Sequence, residues 1–280
     1  MDQPRHALSN PQWAALIELD LFPGNGRRGR PWKDHRRVID GILWILHTGS
    51  PWRDLPGYFG RWKTVHGRFN RWRKDGTWDE VLTGLQAQAQ ARGRLDWEMF
   101  CVDGSVVRAS RAAAGAEAAS CVITPAEPAD HALGRSQGGF GTKVHVVCDA
   151  GGLPLGVVVT PGQRHESVVF EAVMDTVAVP QATGPPARRP ARVAGDKAYS
   201  NKRIRKWLRS RGIGIVIPTK KDQRRRRFDK ERYKGRNVVE RLIGWLKERR
   251  RLATRFEKLA VNFVAMIKLA MIEKFLSILL

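Results

Sequence analysis

The chain has 280 residues, with 50 lysines and arginines against 27 acidic residues, a formal net charge of +23 and a pI near 10.9. This length allows one large domain or two modest ones, and the basic excess predicts attraction to polyanions. Ten tryptophans, several of them among arginines in the first eighty residues, exclude an unfolded basic tail. Cys101, Cys121 and Cys148 are odd in number and lack metal-ligand spacing, which predicts a reducing cytoplasm and no disulfide framework.

The placement of charges argues against targeting and membrane segments. Charged residues among the first twenty interrupt any early apolar run, so no secretory signal is expected. Residues 259–280 are strongly apolar, but Lys268, Glu273 and Lys274 lie within this run, and charges are costly at the centre of a bilayer. We therefore predict a buried C-terminal helix and no membrane partner.

The first ninety residues follow helical patterns. Asn10 is predicted to cap a first short helix, with Pro11 at its first position. A loop rich in glycine and arginine follows at residues 23–31. Apolar residues at helical spacing predict a second helix over residues 34–47, and the Gly-Ser-Pro sequence at 49–51 ends it.

A basic, aromatic-rich helix is predicted over residues 61–74. The sequence Thr77-Trp78-Asp79-Glu80 predicts a capping box that starts another helix, which runs to about Ala91. Short helices with such a basic member fit a helix-turn-helix-like DNA-binding unit, although a helical bundle with a solvated basic face fits the pattern as well. We assign residues 1–92 to a helical domain that binds DNA. The basic side chains assigned to DNA contacts there are Arg61, Lys63, Arg68, Arg71 and Arg73.

Past a linker at Arg92-Gly93-Arg94, the pattern changes to strands. A buried strand over residues 99–102 is predicted to end at Asp103, and an alanine-rich loop follows at 112–128. Residues 143–149 and 153–160 form a predicted hairpin. The remaining predicted elements are a helix over 168–177, a loop over 181–190, a strand over 192–195 ending at Asp196, a basic helix over 202–211, a strand over 213–217 and a solvated basic run over 220–227.

The stretch from Tyr233 to Lys247 is predicted to be an amphipathic helix. At about 100° per residue, Arg236 and Lys247 fall within about 40° of the line through Glu240. Tyr233 joins this line if the helix starts early enough. Such a pattern is most often only a solvated surface helix. The apolar residues on the opposite side are Val238, Leu242, Trp245 and Leu246.

The order strand, strand, strand, helix, strand, helix, strand, helix, helix is that of a ribonuclease-H-like α/β domain. We assign residues 93–280 to this domain, with a mixed five-stranded sheet flanked by helices. The small all-helical, helix-turn-helix-like domain precedes it. Carboxylates at strand ends of such a sheet face the cleft where ligands bind.

Asp103, Asp196 and Glu240 are the acidic residues placed to meet in that cleft. Phosphodiester chemistry is served by two hard divalent cations about 3.5–4 Å apart, held by carboxylates from separate elements. Each residue also has an ordinary explanation. Asp103 could cap a turn, Asp196 could cap the next helix, and Glu240 could pair with Arg236 or Arg241.

Taken together, these residues match a family motif. Tyr233, Arg236, Glu240 and Lys247 fit the pattern Y-x2-R-x3-E-x6-K without a gap. The chain thereby resembles bacterial insertion-sequence transposases of the IS-four/IS-five superfamily, which carry Asp-Asp-Glu triads. The resemblance spans about residues 10 to 270 and points to the IS-five branch. The other matching segments are Val102-Asp103-Gly104-Ser105, Asp196-Lys197-Ala198-Tyr199 (with alanine where glycine is commoner), and residues 49–56, 134–139 and 161–167.

The resemblance implies a DNA transposase that binds terminal inverted repeats, cleaves the element's ends and transfers the 3′-OH ends to target DNA. Asp103, Asp196 and Glu240 would then be catalytic and hold two Mg²⁺, with Mn²⁺ as a substitute. Arg236 and Lys247 would hold DNA phosphates near the scissile bond, and Tyr233 would position the strand. The implied partners are double-stranded DNA and a second copy of the chain, in the nucleoid of a bacterial cytoplasm.

Further basic residues extend the predicted DNA contact. Residues 196–236 carry 17 lysines and arginines against four acidic residues, which predicts a phosphate track that includes Lys202 and Arg203. His165 and Glu166, at the start of a predicted helix, are weaker candidates for the site. A histidine and a glutamate at such a place are more often capping residues than ligands, so both are left out of the triad. Two alternative functions stay open. One is a transposase-derived regulator that binds DNA without cutting it, and the other is a nuclease that cuts without joining.

Overall fold

Helices dominate the first ninety residues of the computed structural model, which describes residues 4–22, 34–114, 126–223 and 228–279. The helices predicted over 34–47 and 61–74 are confirmed within a residue or two at each end. The predicted loop over 23–31 lies outside the described residues. The helices of this region are α1 (Asn10–Ile17), α2 (His35–Thr48), α3 (Trp62–Lys74) and α4 (Thr77–Ala91), with single 3-10 turns at Trp52–Asp54 and Gly57–Phe59.

Two predicted helix caps are wrong, and each is replaced by a neighbouring residue. Ser9, not Asn10, caps α1. Its Oγ accepts from the backbone of Gln12, and Gln12 Oε1 accepts from the backbone of Ser9 at 2.9 Å. Thr77 does not cap α4, because it lies inside the helix and donates from its hydroxyl to Asp75 at 2.7 Å. Local sequence cannot separate these adjacent polar residues, since any of them has the chemistry to cap a helix.

One mixed sheet lies beside these helices. Its strand order is β2-β3-β1-β5-β6, with β4 pairing β3 and β7 pairing β1. Strands β1, β3 and β4 pair antiparallel, whereas β1, β5 and β6 are parallel. The strands are β1 (Met99–Ala109), β2 (Gly134–Ser136), β3 (Gly139–Cys148), β4 (Pro154–Pro161), β5 (Arg192–Ala194), β6 (Gly214–Val216) and β7 (Thr254–Arg255).

The sheet differs from the prediction in the number of its strands and in the length of β1. All five predicted strands are present, but β2 and β7 bring the total in the described part of the chain to seven. They span three and two residues, too few to produce a periodic pattern. The predicted end of β1 at Asp103 is wrong, because residues 101–108 pair with residues 141–148 of β3 and carry the strand past the Asp-Gly-Ser sequence.

The helices that follow cover the sheet. The predicted helix over 233–247 is two helices, α8 and α9, because Gly235 and Arg236 lie between them. Part of the predicted loop over 112–128 is helical at 112–114, and residues 115–125 and 224–227 lie outside the described residues. The remaining helices are α5 (Arg111–Ala114), α6 (Glu166–Asp175), α7 (Lys202–Ser210), α8 (Lys230–Lys234), α9 (Asn237–Lys247), α10 (Arg250–Ala253) and α11 (Ala260–Ile278), with a 3-10 turn at Lys197–Tyr199.

The C-terminal helix α11 is buried, as predicted. Phe263, Met266 and Phe275 are almost fully inaccessible, and the helix packs against α4 and β4. Buried residues from the first ninety positions and from the sheet thus belong to one apolar cluster. The domain boundary at 92–93 stays a prediction. Among the described residues, no helix combines the length and apolarity needed to cross a membrane.

Cys101 and Cys148 lie opposite each other on β1 and β3, and both are buried free thiols. Cys121 falls outside the described residues. Burial raises the pKa of Cys101 to about 12, so this thiol is protonated at neutral pH and has little nucleophilic character.

Candidate active site

Asp103 and Asp196 lie side by side because of the register between two parallel strands. Cys101 of β1 pairs with Ala194 of β5, and each aspartate comes two residues later. Asp103 Oδ1 accepts a hydrogen bond from the Gly104 backbone at 2.9 Å. Asp196 Oδ1 accepts one from the Ala198 backbone at 2.8 Å and caps the short 3-10 turn. Each carboxylate is therefore held by a nearby backbone N–H, and the register puts the two aspartates at corresponding positions of neighbouring chain segments.

Arg236 connects the strand carboxylate to the helix carboxylate. Its Nη1 donates to Asp103 Oδ2 at 3.0 Å, and its Nη2 donates to Glu240 one turn along α9. The arginine side chain is only 13% exposed, and its guanidinium lies 5.8 Å from the centre of the Tyr233 ring. Arg236 lies between α8 and α9, immediately before the first residue of α9. The pairing of Glu240 with Arg236, one of the ordinary explanations, is thus present.

The electrostatics of this cluster favour a positive group between the carboxylates. Burial raises the pKa of Asp103, while the Gly104 backbone and Arg236 act in the opposite direction. Burial alone would lower the pKa of Arg236, but Asp103, Tyr233 and Glu240 together outweigh burial, and the pKa is raised overall. Arg236 therefore stays charged and offsets part of the cost of the buried carboxylate.

The three acidic residues fit a divalent cation by donor chemistry and charge. They offer hard carboxylate oxygens from three separate elements, as Mg²⁺ prefers. The Arg236 guanidinium stands in for a cation between Asp103 and Glu240. With the side chains in these positions, no three Asp, Glu, His or Cys residues in the described part of the chain lie close enough together to hold a metal ion. Glu240 is half exposed and held by Arg236, so the metal-binding role of this set stays a prediction.

The apolar side of α9 differs slightly from the prediction. Val239, Leu242 and Leu246 are buried, whereas Val238 and Trp245 are only partly so. Lys247, the last residue of α9, is exposed. Its predicted place on the line through Glu240 is compatible with contact to a bound strand.

The basic residues predicted to contact DNA differ in how exposed their side chains are and in whether their charge is already paired. Arg203, although exposed, donates to Glu171 and to the Ser167 carbonyl oxygen, so its charge is already paired. Arg73 is partly buried, and burial lowers its pKa. The other exposed residues of the set are Arg61, Lys63, Arg71, Lys202 and Lys247.

Arg68 is a correction to the predicted DNA-contacting set. It is 6% exposed, its Nη1 lies 2.8 Å from His35 Nδ1, and its guanidinium lies 5.1 Å from the centre of the Trp72 ring. Burial lowers its pKa to about 10. The side chain therefore belongs to the helical core and cannot reach a phosphate in this structure.

Sequence reasoning also set aside a residue that the structure brings to the cleft. His165 is a helix cap, as interpreted, since its Nδ1 accepts from the Ser167 backbone at 3.2 Å. Glu166 is not. Its Oε1 lies 3.3 Å from Lys143 Nζ, beside Gly104. The sequence feature that could have pointed to this contact is the glycine directly after Asp103, because a glycine allows another chain segment to approach the backbone closely.

The molecule is thus an α/β protein with a mixed sheet covered by helices, in which Arg236 joins Asp103 of β1 to Glu240 of α9. Residues 98–272 match the family model described as "Transposase DDE domain", and residues 8–82 match "Putative transposase of IS4/5 family". Because the first match covers more than half of the chain, this protein belongs to the DDE transposases, of the IS4/5 insertion-sequence type. The resemblance inferred from the motifs is confirmed.

Individual relatives agree with this family. The chain is 35% identical over 130 residues to "Putative transposase for insertion sequence element IS402" of Burkholderia cepacia, covering 46% of this chain and 60% of that protein. It is 37% identical over 114 residues to the uncharacterized protein y4sN of Sinorhizobium fredii, covering 40% of this chain and 84% of that one.

A solved structure of the piggyBac transposase synaptic complex with hairpin DNA aligns with 75% of this chain and 47% of that chain, at 12% identity and a TM-score of 0.34. This TM-score is too low to define a fold.

Proposed function

We propose that this transposase binds the terminal inverted repeats of an insertion sequence, cleaves the DNA at the element's ends and joins the 3′-OH ends to target DNA. The observation that supports this most directly is the Arg236 bridge, which brings Glu240 of α9 to Asp103 of β1. Asp196 stands beside Asp103 through the strand register. These two relationships support the proposal that the three carboxylates act at one site.

Asp103, Asp196 and Glu240 would hold two divalent cations, Mg²⁺ or Mn²⁺. When bound, such ions activate the attacking oxygen and stabilise the leaving oxygen of a phosphodiester. The chain's own contribution is to orient the oxygens. The Gly104 and Ala198 backbones fix the two aspartates. Arg236 holds Glu240 towards the sheet until a phosphate or a cation competes for these groups.

The strand arrangement supports a ribonuclease-H-like catalytic domain. Strands β4, β3 and β1 form an antiparallel group, and β5 and β6 extend it in parallel on the other side of β1. The first aspartate then lies on the central strand, and the second follows two residues after the end of its parallel neighbour. Helices α2, α3 and α4 would form the helix-turn-helix-like unit that recognises the terminal repeats.

DNA would follow the exposed basic residues. The net charge of +23 supplies a general attraction. Arg61, Lys63 and Arg71 on and before α3 would contact the terminal repeat, and Lys202 and Lys247 would contact phosphates near the cleft. Because an element has two ends, we propose that the active complex is a dimer.

The test is incubation of the full-length protein with DNA that carries the element's own ends, Mg²⁺ and a target plasmid. Cleaved ends joined to the target are expected. Cleavage without joining would instead indicate a nuclease, and binding without cleavage a regulator. An Asp103→Asn protein is the control, and it should bind the ends without cutting them.

A further inference from the structure

Gly104 provides a space beside Asp103 that two other side chains enter. Because successive strand residues point to opposite faces, Gly104 faces away from Arg236. A Cβ atom at this position would lie 3.1 Å from Glu166 Cγ and 3.3 Å from its Oε1. It would also lie 3.2 Å from His145 Nδ1. Any larger residue here would push both groups back by a few tenths of an ångström, so glycine gives them their closest approach to the backbone beside the first aspartate.

Glu166 is held at this place by structure on both sides. It occupies the first turn of α6, next to the cap at His165. Its carboxylate pairs with Lys143 of β3, and both side chains are more than four-fifths buried. Burial raises the pKa of Glu166, and the nearby Asp196 and Asp103 carboxylates act in the same direction. Glu166 is therefore within electrostatic reach of both aspartates.

Two buried polar atoms near Glu166 lack a partner in the described part of the chain. His145 is 1% exposed. Its Nε2 bonds to Thr160 Oγ1 at 2.9 Å, but its Nδ1 over Gly104 has no hydrogen bond. The Tyr199 hydroxyl is also buried and unpaired. Buried polar atoms in proteins are nearly always paired, so these two point to a bound polar species between the strand and α6.

The charges around the cleft favour a cation. Asp103, Asp196, Glu166 and Glu240 carry four negative charges. Lys143 and Arg236 supply two positive ones. The four carboxylates thus exceed the two cationic groups, and proteins tune divalent affinity by the number of charged ligands and the rigidity of the site.

We propose that Glu166 is a positioning residue of this cleft, a fourth carboxylate outside the Asp-Asp-Glu set that strengthens divalent-cation binding by Asp103 and Asp196. It acts from the opposite face of β1, through the space left by Gly104. The missing hydrogen-bond partner of His145 and Tyr199 is a water molecule, which links Glu166 to the cation site. This inference rests on the proposed metal-dependent function.

The experiment measures Mn²⁺ binding by electron paramagnetic resonance, with the full-length protein bound to a pre-cleaved duplex of the element's end. Glu166→Gln keeps the size of the side chain and removes its charge. We expect its Mn²⁺ Kd to rise about tenfold, the lower end of the effect of residues that support metal ligands. Glu166→Asp keeps the charge and should recover part of the affinity.

Glu171→Gln is the matched control. It removes one carboxylate from the same helix, where Glu171 pairs with Arg203 away from the cleft, and should leave the Mn²⁺ Kd unchanged. Equal Kd values for Glu166→Gln and the wild type would overturn the inference, as would an equal loss in Glu171→Gln. An Asp103→Asn protein separates the two proposals. If it loses Mn²⁺ while Glu166→Gln does not, only the Glu166 role fails. If the wild type binds no Mn²⁺, the metal-dependent function fails as well.

Discussion

The Arg236 guanidinium donates to the Asp103 carboxylate at 3.0 Å across 133 positions of the chain. The same guanidinium holds Glu240. A positive charge thus already occupies the place between two carboxylates that are predicted to bind metal. Arg236 and a divalent cation would therefore compete for Asp103.

Replacing Arg236 by glutamine tests this competition. Without the guanidinium, we expect Mn²⁺ to bind the DNA-free protein about tenfold more tightly, a coupling of ordinary size between two binding events. Cleavage should nevertheless slow, because the proposed phosphate contact is lost. Titration calorimetry with Mn²⁺ measures the first effect. An unchanged or weaker affinity would show that the arginine does not compete with the cation.

Replacing Glu240 by glutamine should abolish chemistry and leave the fold intact. The Glu240 side chain is half exposed, and exposed ion pairs contribute only a few tenths of a kcal/mol. We expect a loss of cleavage of about a hundredfold or more, with retained binding to the element's ends. The matched control is Glu248→Gln, which removes a charge just past α9, where the side chain is 72% exposed. A Glu240→Gln protein that cuts at a comparable rate would disprove the triad.

Arg68 and Arg71 should differ although both lie on α3. Arg68→Ala removes a partly buried hydrogen bond to His35 and should lower the free energy of unfolding by about 1.5–3 kcal/mol. Arg71→Ala, at an exposed position, should instead reduce the slope of log K against log salt by about one phosphate contact. Thermal unfolding and salt-dependent DNA binding measure these effects. Equal behaviour of the two proteins would contradict the exposure argument.

Lys247 is predicted to act on the reaction more than on binding. At saturating DNA, Lys247→Ala should slow single-turnover cleavage by about tenfold or more, because a phosphate contact near the scissile bond is lost. Lys221→Ala, an exposed lysine in the basic segment that precedes α8, is the control and should affect only the salt dependence. If the two proteins cleave at the same rate, Lys247 has no special role.

His145 should make stability depend on pH. Burial lowers its pKa from 6.5 to about 4, so the unfolded chain binds the proton more readily than the folded one. The contribution of His145 to the free energy of unfolding is complete above pH 6.5. It declines by about 3 kcal/mol in total as the pH falls towards 4. Urea unfolding of the wild type and of His145→Gln at pH 7 and pH 4.5 measures the difference. Parallel pH dependence of the two proteins would contradict this assignment.

The sequence by itself determined the elements and the order of the acidic residues. Helix α2 and the five principal strands follow from apolar periodicity, because the spacing of side chains reports which face of an element is buried. The four-residue spacing of Arg236 and Glu240 also fixes their contact, since residues one turn apart on a helix are neighbours. Family membership followed from the motifs, because the number of residues between motif positions can be read directly from the sequence.

Only the tertiary structure decided which of these residues meet. β1 continues beyond Asp103 because it pairs with β3, about forty residues later. Arg68 is buried because His35 lies against it. Glu166 reaches the backbone beside Asp103 only because α6 packs over a glycine. Such contacts depend on how distant segments pack, and local sequence patterns carry no information about the distance between segments far apart in the chain.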